Sequence, residues 1–304
     1  MKLSAAGLPA IAAVVLACTL PSQVNLIVNG DFETKTIAPW VESGWASSSK
    51  VSMHDCAGAG LSYTFNCLHG GKSGQTRRPN GYWPGNAIEQ TVLMVQTAEY
   101  LFTADVQIQN VQSPSTGNAD AGLIELFIGG VSVGKHNFGS YAGNSKPRAR
   151  MCFRFKGPST GLKAFKLDFS RRYYSSGRTP TAFIDNILLT LAPSEPIICP
   201  LLERKINATA TIDIAGTASS RFALFYGTGK FASGVRVPGF SGAWWLSGVS
   251  GQMFVNTFSG TGNFIWKPMI PNDPGLVGFL IHWQAVEANT RVSIGEVTSF
   301  AFYR

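Results

Sequence analysis

The sequence has 304 residues, of which 25 are Lys or Arg and 17 are Asp or Glu, giving a formal net charge of +8. Charged residues make up only 14% and hydrophobic residues 45%, so a sizeable core can form and wholesale disorder is excluded. This charge-poor composition, with 33 Gly and 16 Pro, favours short strands and many turns over long solvated helices. The length is that of about two domains.

The first residues have the pattern of an export signal. Lys2 is the only charged residue before Asp31, and Leu8–Leu20 is almost entirely apolar. Because this run is shorter than the roughly 20 residues of a membrane span, a cleaved signal peptide over residues 1–22 is favoured over a membrane anchor. We therefore expect a secreted or cell-surface protein with no transmembrane span in the mature chain. Lipidation of Cys18 is the minority alternative, because its neighbours fit a lipoprotein box only loosely.

Four cysteines remain once Cys18 is set aside, and an even number in an exported chain indicates two disulfides. Three pairings are compatible with the sequence. Proximity along the chain favours Cys56–Cys67 and Cys152–Cys199. No two cysteines have Cys-x-x-Cys spacing, so a zinc knuckle or other metal–thiolate site is not indicated.

The segment up to residue 192 contains several candidate strands, at 90–95, 100–107, 123–127, 148–156, 162–169 and 182–191. The clearest is 148–156, where every second residue is apolar and is expected to face a core. The other face of that strand carries Arg148, Arg150, Cys152, Arg154 and Lys156. We expect this face to lie in water. We therefore expect the Cys152–Cys199 disulfide outside the core, with Cys199 fixing the linker to the outer face of the strand.

The composition changes near residue 192, where Pro and Ser residues indicate a linker over residues 193–206. Residues 207–304 contain no cysteine and few charges, and glycine turns separate short β-branched or aromatic runs. This spacing predicts a second, smaller β-sandwich or barrel. Four tryptophans lie in this segment: Trp244, Trp245, Trp266 and Trp283. In a charge-poor β domain tryptophans are more often core residues than site residues. Trp244 and Trp245 would face opposite sides of a strand, so one of them would be exposed.

Three short motifs resemble a known family. Residues 25–33 read Asn-Leu-Ile-Val-Asn-Gly-Asp-Phe-Glu, residues 181–187 read Thr-Ala-Phe-Ile-Asp-Asn-Ile, and Ile88–Val92 is similar to the family's second strand. Over residues 24–192 the chain thus resembles the galactose-binding-like jelly rolls. These include carbohydrate-binding modules of families 4, 9 and 22 and the plant wall domain of unknown function 642. The resemblance implies an all-β fold with an N-terminal jelly-roll β-sandwich that binds glycans without cleaving them. The C-terminal β domain resembles that of uncharacterised exported bacterial proteins, which implies no function.

The same resemblance implies a structural calcium ion that joins the first and last strands. Carried over to this sequence, its side-chain ligands are Glu33 and Asp185. Calcium takes about six to eight oxygen ligands, so two carboxylates alone underdetermine a site. The alternative is that both carboxylates pair with nearby arginines or cap turns.

The best ligand candidate is the loop Lys72–Asn86. Among its glycines and prolines it holds Arg77, Arg78, Asn80, Tyr82, Trp83 and Asn86. A sugar presents apolar C–H faces and rings of hydroxyls, so its site needs a flat aromatic ring beside amide or guanidinium donors. Tyr82 and Trp83 beside these donors predict a glycan site. The alternative is that both rings pack beneath their own loop.

Positive charge is concentrated in residues 146–178, which hold ten Lys or Arg and one Asp. Because Arg148, Arg150 and Arg154 share one predicted sheet face, their fields add and would suit the carboxylates or sulfates of an anionic polysaccharide. The alternative is a solvated face that keeps the protein soluble. Nucleic acid is disfavoured, since the chain is predicted to be exported and no binding motif was found.

Catalysis has little support in the sequence. The four histidines are scattered without His-x-x-x-His spacing. Paired acids for glycoside hydrolysis stay open, because carboxylates about 5 to 9 Å apart in space can be far apart in sequence. The sequence therefore predicts a non-catalytic, exported carbohydrate-binding protein, with acidic polysaccharide as the favoured partner. The rival hypothesis is a structural or adhesive cell-surface protein without glycan specificity.

Overall fold

The structure is a computed structural model that describes residues 24–44, 51–56, 59–66, 81–109, 120–139, 146–172, 180–199, 206–207, 209–210 and 212–302. The predicted signal peptide, Cys18, Cys67, Arg77, Arg78 and Asn80 lie outside the described residues. The Cys56–Cys67 pairing therefore stays a prediction. Within the described residues no helix is long and apolar enough to cross a membrane.

The N-terminal part of the described chain is built from strands alone. They are β1 (Val41–Gly44), β2 (Val51–Cys56), β3 (Ala59–Asn66), β4 (Trp83–Met94), β5 (Glu99–Gln109), β6 (Leu123–Ile128), β7 (Val131–Asn137), β8 (Arg148–Lys156), β9 (Gly161–Arg171) and β10 (Thr181–Leu191). Sheet A has the order β1-β4-β9-β6-β7, and sheet B has the order β2-β3-β10-β5-β8. Every pairing in both sheets is antiparallel. This is the two-sheet jelly-roll sandwich that the resemblance implied.

The core of this sandwich follows from the alternation along its strands. In β9, Phe165, Leu167 and Phe169 are fully buried, and in β8 the buried ring of Phe153 stacks on Phe102. Because side chains alternate across a strand, the residues between them point away from this core. The outer face of each sheet is therefore polar by sequence, and these faces position the candidate sites.

The C-terminal part forms a second sandwich. Its strands are β11 (Ile197–Ile198), β12 (Ile212–Ala215), β13 (Arg221–Val235), β14 (Phe240–Gly242), β15 (Trp244–Thr257), β16 (Asn263–Trp266), β17 (Leu280–Ala288), β18 (Val292–Ile294) and β19 (Thr298–Ala301), with one 3₁₀ turn at Pro274–Leu276. Sheet C has the order β11-β12-β16, and sheet D has the order β14-β18-β17-β13-β15, with β19 paired to β17. Only the β14–β18 pair is parallel among the described strands. Strand β11 lies inside the predicted linker, so part of that linker is built into sheet C.

Aromatic residues fill the space between sheets C and D. Phe222 stacks on Phe258, and Trp283 packs against Trp266 and Phe300. Trp283 is buried, as expected for a core tryptophan. Trp244, Trp245 and Trp266 are only half-buried.

The disulfide Cys152–Cys199 is present and lies outside the first core, as predicted. The expectation that its face of β8 lies in water was wrong for Cys152 and Arg154, whereas Lys156 at the end of the strand is exposed. Cys152 and Arg154 are buried, because β12 and β16 of the C-terminal sandwich cover this face. Alternation along a strand identifies its polar face. It does not show whether that face is covered by water or by a second sheet that supplies polar groups.

Hydrogen bonds close this contact between the two sandwiches. The buried carboxylate of Asp213 in β12 accepts the backbone N–H of Cys152 at 3.2 Å and lies 3.1 Å from Nδ1 of buried His136. The backbone N–H of Arg154 donates to Oδ1 of Asn263 at 3.2 Å. Because buried polar groups are costly unless hydrogen-bonded, these partners make the contact specific.

Candidate functional site

The outer face of sheet A carries a groove of about 500 Å³. We call it the sheet A groove. It is lined by Glu89, Phe127, Gly130, Ala164, Lys166 and Asp168.

The strand register brings these residues together. Lys166 of β9 lies between Glu89 of β4 and Phe127 of β6 in the two ladders. Asp168 lies opposite Glu125 of β6. Residues directly opposite each other in an antiparallel pair share one face of the sheet, so a charged row crosses three strands beside the half-buried ring of Phe127.

The groove has mixed charge and several fixed hydrogen-bonding groups. Nζ of Lys166 lies 3.9 Å from Oδ2 of Asp168, and Ser132 Oγ donates to Oε1 of Glu125 at 2.5 Å. Asp168 and Glu125 are buried, so their carboxylates are held by the surrounding protein rather than by bulk water. Because both acceptors and a cation line the groove, it suits a polar, hydroxyl-rich ligand better than a polyanion.

Sequence reasoning missed Glu89 and Phe127 as residues of the groove. A usable signal existed in residues 163–169, whose alternation already placed Lys166 and Asp168 on the face away from the core. The missing information was the register, which decides which strands stand on either side of β9.

The predicted aromatic loop is described only at its end. Tyr82 and Trp83 are half-buried, and Asn86 is buried. The hydroxyl oxygen of Tyr82 accepts a hydrogen bond from Nδ2 of Asn137 at 3.3 Å. Trp83 begins β4 and pairs with Arg171, so it is a strand residue rather than a free loop residue. The role of these rings in ligand binding stays a prediction.

The arginines of β8 are engaged with internal acids. In Arg154, Nε and Nη2 donate to Oε2 of Glu99 at 2.8 and 2.5 Å, and only 6% of the residue is exposed. Arg150 forms a two-pronged pair with buried Asp105, and the hydrogen bond raises the pKa of Arg150. Arg148 is half-buried at the start of β8. The positive field expected on this face is therefore partly neutralised within the protein.

The two ends of the N-terminal sandwich meet at Asp185, which is fully buried in β10. Its Oδ1 accepts the backbone N–H of Asn186 at 2.7 Å, whereas its Oδ2 has no hydrogen-bond partner among the described residues. Burial raises the pKa of Asp185 to about 7; the Asn186 hydrogen bond opposes this shift, and the charges of Asp105, Glu33 and Asp31 add to it. Negative charge from both ends of the chain segment is therefore concentrated around one buried carboxyl group.

The chemistry of this cluster fits the calcium ion that the resemblance implied. Its donors are carboxylate oxygens, which calcium prefers, and one of them is buried without a partner. No three His, Cys, Asp or Glu side chains of the described residues are grouped as a metal site. Glu33 and Asp185 would therefore need backbone carbonyls or water to complete the coordination.

One segment of the chain matches the sequence of a catalytic motif but does not have the structure of that motif. Residues 130–134 read Gly-Val-Ser-Val-Gly, the pattern of a serine-hydrolase nucleophile turn. Such a serine sits on a sharp turn between a strand and a helix. Ser132 instead lies in strand β7 and donates to Glu125, so the pattern does not form a nucleophile turn here.

Comparisons with known proteins give only distant likenesses. No family model matches the chain, and no curated protein matches it. Among solved structures, it is similar to TmCBM61 in complex with β-1,4-galactotriose, with 15% identity, coverage of 56% of this chain and 100% of the other, and a TM-score of 0.35. It is also similar to the N-terminal CBM22-1–CBM22-2 tandem domain of a Paenibacillus barcinonensis protein, with 8% identity, coverage of 93% and 91%, and a TM-score of 0.31.

A third similar structure is the adhesin domain of Epf from Streptococcus pyogenes, with 8% identity, coverage of 92% of this chain and 97% of the other, and a TM-score of 0.28. At these identities and TM-scores the likenesses do not transfer a ligand or an activity to this chain.

Proposed function

We propose that this protein binds carbohydrate in the sheet A groove without cleaving it. The observation that carries the proposal is the row of Glu89, Lys166 and Phe127 across three neighbouring strands. A pyranose ring offers hydroxyls to the charged groups and an apolar C–H face to the phenyl ring. Because these groups stand on paired strands, they are held in place before a ligand arrives.

The charge of the groove bears on the kind of glycan. Glu89 and Asp168 would repel a polyanion, so we expect neutral oligosaccharide in the groove. The predicted preference for acidic polysaccharide would depend instead on exposed cations at the ends of β8, Lys146 and Lys156. The two alternatives differ in their salt dependence, because attraction between exposed charges is screened by salt.

Export and a structural calcium ion belong to the same proposal. The apolar N-terminal run supports a cleaved signal over residues 1–22, and a disulfide is typical of oxidising compartments. Calcium bound by Glu33 and Asp185 would join the two ends of the N-terminal sandwich and offset the burial of Asp185.

Retention on immobilised polysaccharides, neutral and acidic, tests the binding proposal. We expect retention on at least one neutral glycan. This retention should persist in about 0.5 M salt, where attraction between exposed charges is strongly screened. The double variant Phe127→Ala, Lys166→Ala should lose it. Lys156→Ala is the matched control, because it removes the same charge from an exposed position of sheet B.

The other outcomes discriminate between the hypotheses. Retention on acidic glycans alone, abolished by salt and by Lys156→Ala, would move binding to the β8 edge. Retention lost only in Tyr82→Ala would move it to the predicted aromatic loop. A folded protein that no glycan retains would overturn the proposal and favour the structural or adhesive hypothesis.

A second candidate function, glycoside hydrolysis, is favoured by one observation. Glu125 and Asp168 face each other across the β6–β9 ladder, and both are buried. Glycoside hydrolysis uses two carboxyl groups that flank the scissile bond, about 5 to 9 Å apart, and a pair on neighbouring strands can supply two acids. Release of reducing ends from a retained glycan, abolished in Asp168→Asn while retention persists, would establish this function. Intact glycan after prolonged incubation would leave binding as the function.

A further inference from the structure

A second cavity, of about 410 Å³, lies where the two sandwiches meet. We call it the intersandwich cleft. The C-terminal sandwich lines it with two loops, residues 216–218 between β12 and β13 and residues 260–261 between β15 and β16. The N-terminal sandwich supplies all of its charged residues: Glu99, Arg154 and Lys156. Its volume falls within the range of about 300 to 1,000 Å³ for ligand pockets, which often form between domains.

The charges of the cleft leave one cation available to a ligand. Nε and Nη2 of Arg154 both donate to Oε2 of Glu99, so these two residues neutralise each other. Lys156 lies opposite Glu99 in the β5–β8 ladder and is exposed. Within the part of the chain that the structure describes, its ammonium forms no ion pair. The lining therefore offers a single uncompensated positive charge.

Uncharged polar groups surround this cation. Ser132 and Thr261 are exposed in the cleft and Thr217 is half-buried, so the lining carries three hydroxyl groups. The Oε1 atom of Glu99 is not used by Arg154, because both guanidinium hydrogen bonds go to Oε2. These groups can donate to and accept from the hydroxyls of a ligand.

We propose that the intersandwich cleft binds a carboxylated sugar, with the sugar carboxylate at Lys156. One uncompensated ammonium suits one carboxylate, whereas a phosphate or a dense polyanion would call for several cations. The sugar hydroxyls are received by Glu99 and by the hydroxyl side chains of the lining. This is a second site, which does not rest on binding in the sheet A groove.

The walls of the cleft are fixed to each other before a ligand arrives. The backbone N–H of Arg154 donates to Oδ1 of Asn263 at 3.2 Å, and its Nη1 donates to the carbonyl oxygen of Glu195 at 3.3 Å. The two loops are joined by a hydrogen bond from the N–H of Gly216 to the carbonyl oxygen of Gly262 at 2.9 Å. Because the groups are already in place, binding costs little ordering of the protein.

Isothermal titration with trigalacturonate and with its methyl ester tests the charge requirement. The ester keeps the sugar skeleton but removes its carboxylates, so we expect it to bind at least about tenfold more weakly. Lys156→Gln should weaken trigalacturonate binding by a similar factor. Lys146→Gln is the matched control, because it removes an exposed lysine from the other end of β8.

A variant that fills the cleft tests its location without changing any charge. A Cβ at Gly260 meets no atom within 4 Å, so Gly260→Leu should fold normally and place its side chain in the open space of the cleft. We expect this variant to lose trigalacturonate binding, with an unchanged melting temperature.

Four results would overturn the proposal. They are no binding by the folded wild type, wild-type affinity in Gly260→Leu or Lys156→Gln, equal weakening in Lys146→Gln and Lys156→Gln, and competition by citrate as strong as that by the sugar. The last result would show a site for any carboxylate. Binding of neutral oligosaccharides, which bring no carboxylate to Lys156, reports on the sheet A groove alone. Failure of either site is therefore distinguishable from failure of the other.

Discussion

Replacing Asp185 by Asn tests the electrostatics that join the two ends of the N-terminal sandwich. The pKa of Asp185 is raised from an ordinary 3.8 to about 7, chiefly because burial disfavours the charged form. A difference of about three pKa units corresponds to about 4 kcal/mol in the free energy of unfolding, which is an upper limit. The Asn side chain has nearly the same shape and cannot ionise.

The pH at which this free energy is lost follows from the direction of the shift. Below about pH 4 the carboxyl is protonated in both the folded and the unfolded chain, so ionisation costs nothing. Between pH 4 and 7 the unfolded chain ionises first, and stability falls as pH rises through the folded pKa of Asp185. Without metal, the wild type should therefore lose up to about 3 kcal/mol more than Asp185→Asn between pH 4.5 and 8, because about 1 kcal/mol of the difference is already lost below pH 4.5.

Urea unfolding with a metal chelator, at several pH values, measures this difference. Glu42→Gln is the control, because Glu42 is an exposed acid on β1 and its loss should leave the pH profile of the wild type intact. If the wild type and Asp185→Asn lose stability in parallel as the pH rises, the buried carboxyl of Asp185 is not the group that titrates.

The remaining predictions concern calcium, the contact between the sandwiches and one close backbone approach. Millimolar calcium should raise the melting temperature of the wild type at pH 8 but not that of Asp185→Asn; an equal shift in both would place the ion elsewhere. Cys152→Ser should lower the free energy of unfolding by about 4 kcal/mol, because the disulfide closes a sequence separation of 47 residues; unchanged stability under reducing conditions would contradict this. Asp213→Ala should cost about 3 kcal/mol in urea unfolding, since it removes the buried partner of both His136 and the Cys152 backbone N–H; it should cost less in a His136→Ala background, where only the Cys152 hydrogen bond is lost. Gly30→Ala should cost about 2 kcal/mol or more, because a Cβ there overlaps the carbonyl oxygen of Ile187; a fully stable variant would show that this loop can move.

The sequence predicted the all-β class and several strand faces correctly. The alternation around Phe153 and Phe165 sufficed to assign their faces, because burial of alternate side chains is a local property of a strand. It also placed Cys152 outside the first core. The closing motif around Asp185 correctly marked a strand that meets the N-terminal segment.

Contacts between segments far apart in the sequence could not be predicted from these local patterns. Arg154 was expected in water because nothing local shows that a second sandwich covers β8. The groove partners of Lys166 depend on the register between β4, β9 and β6, which one strand alone does not encode. Charge counted along the sequence also overstated the basic face, since Glu99 and Asp105, which pair with Arg154 and Arg150, come from a strand about 50 residues away.

Isothermal titration of the purified protein with neutral oligosaccharides, beside its Phe127→Ala, Lys166→Ala variant, tests whether the sheet A groove binds carbohydrate. We expect saturable binding by the wild type that changes little with salt, at least a roughly tenfold weaker affinity in the groove variant, and unchanged affinity in Lys156→Ala. Equal affinity in the wild type and the groove variant would contradict the assignment of the sheet A groove, and no heat of binding with any oligosaccharide would contradict carbohydrate binding itself.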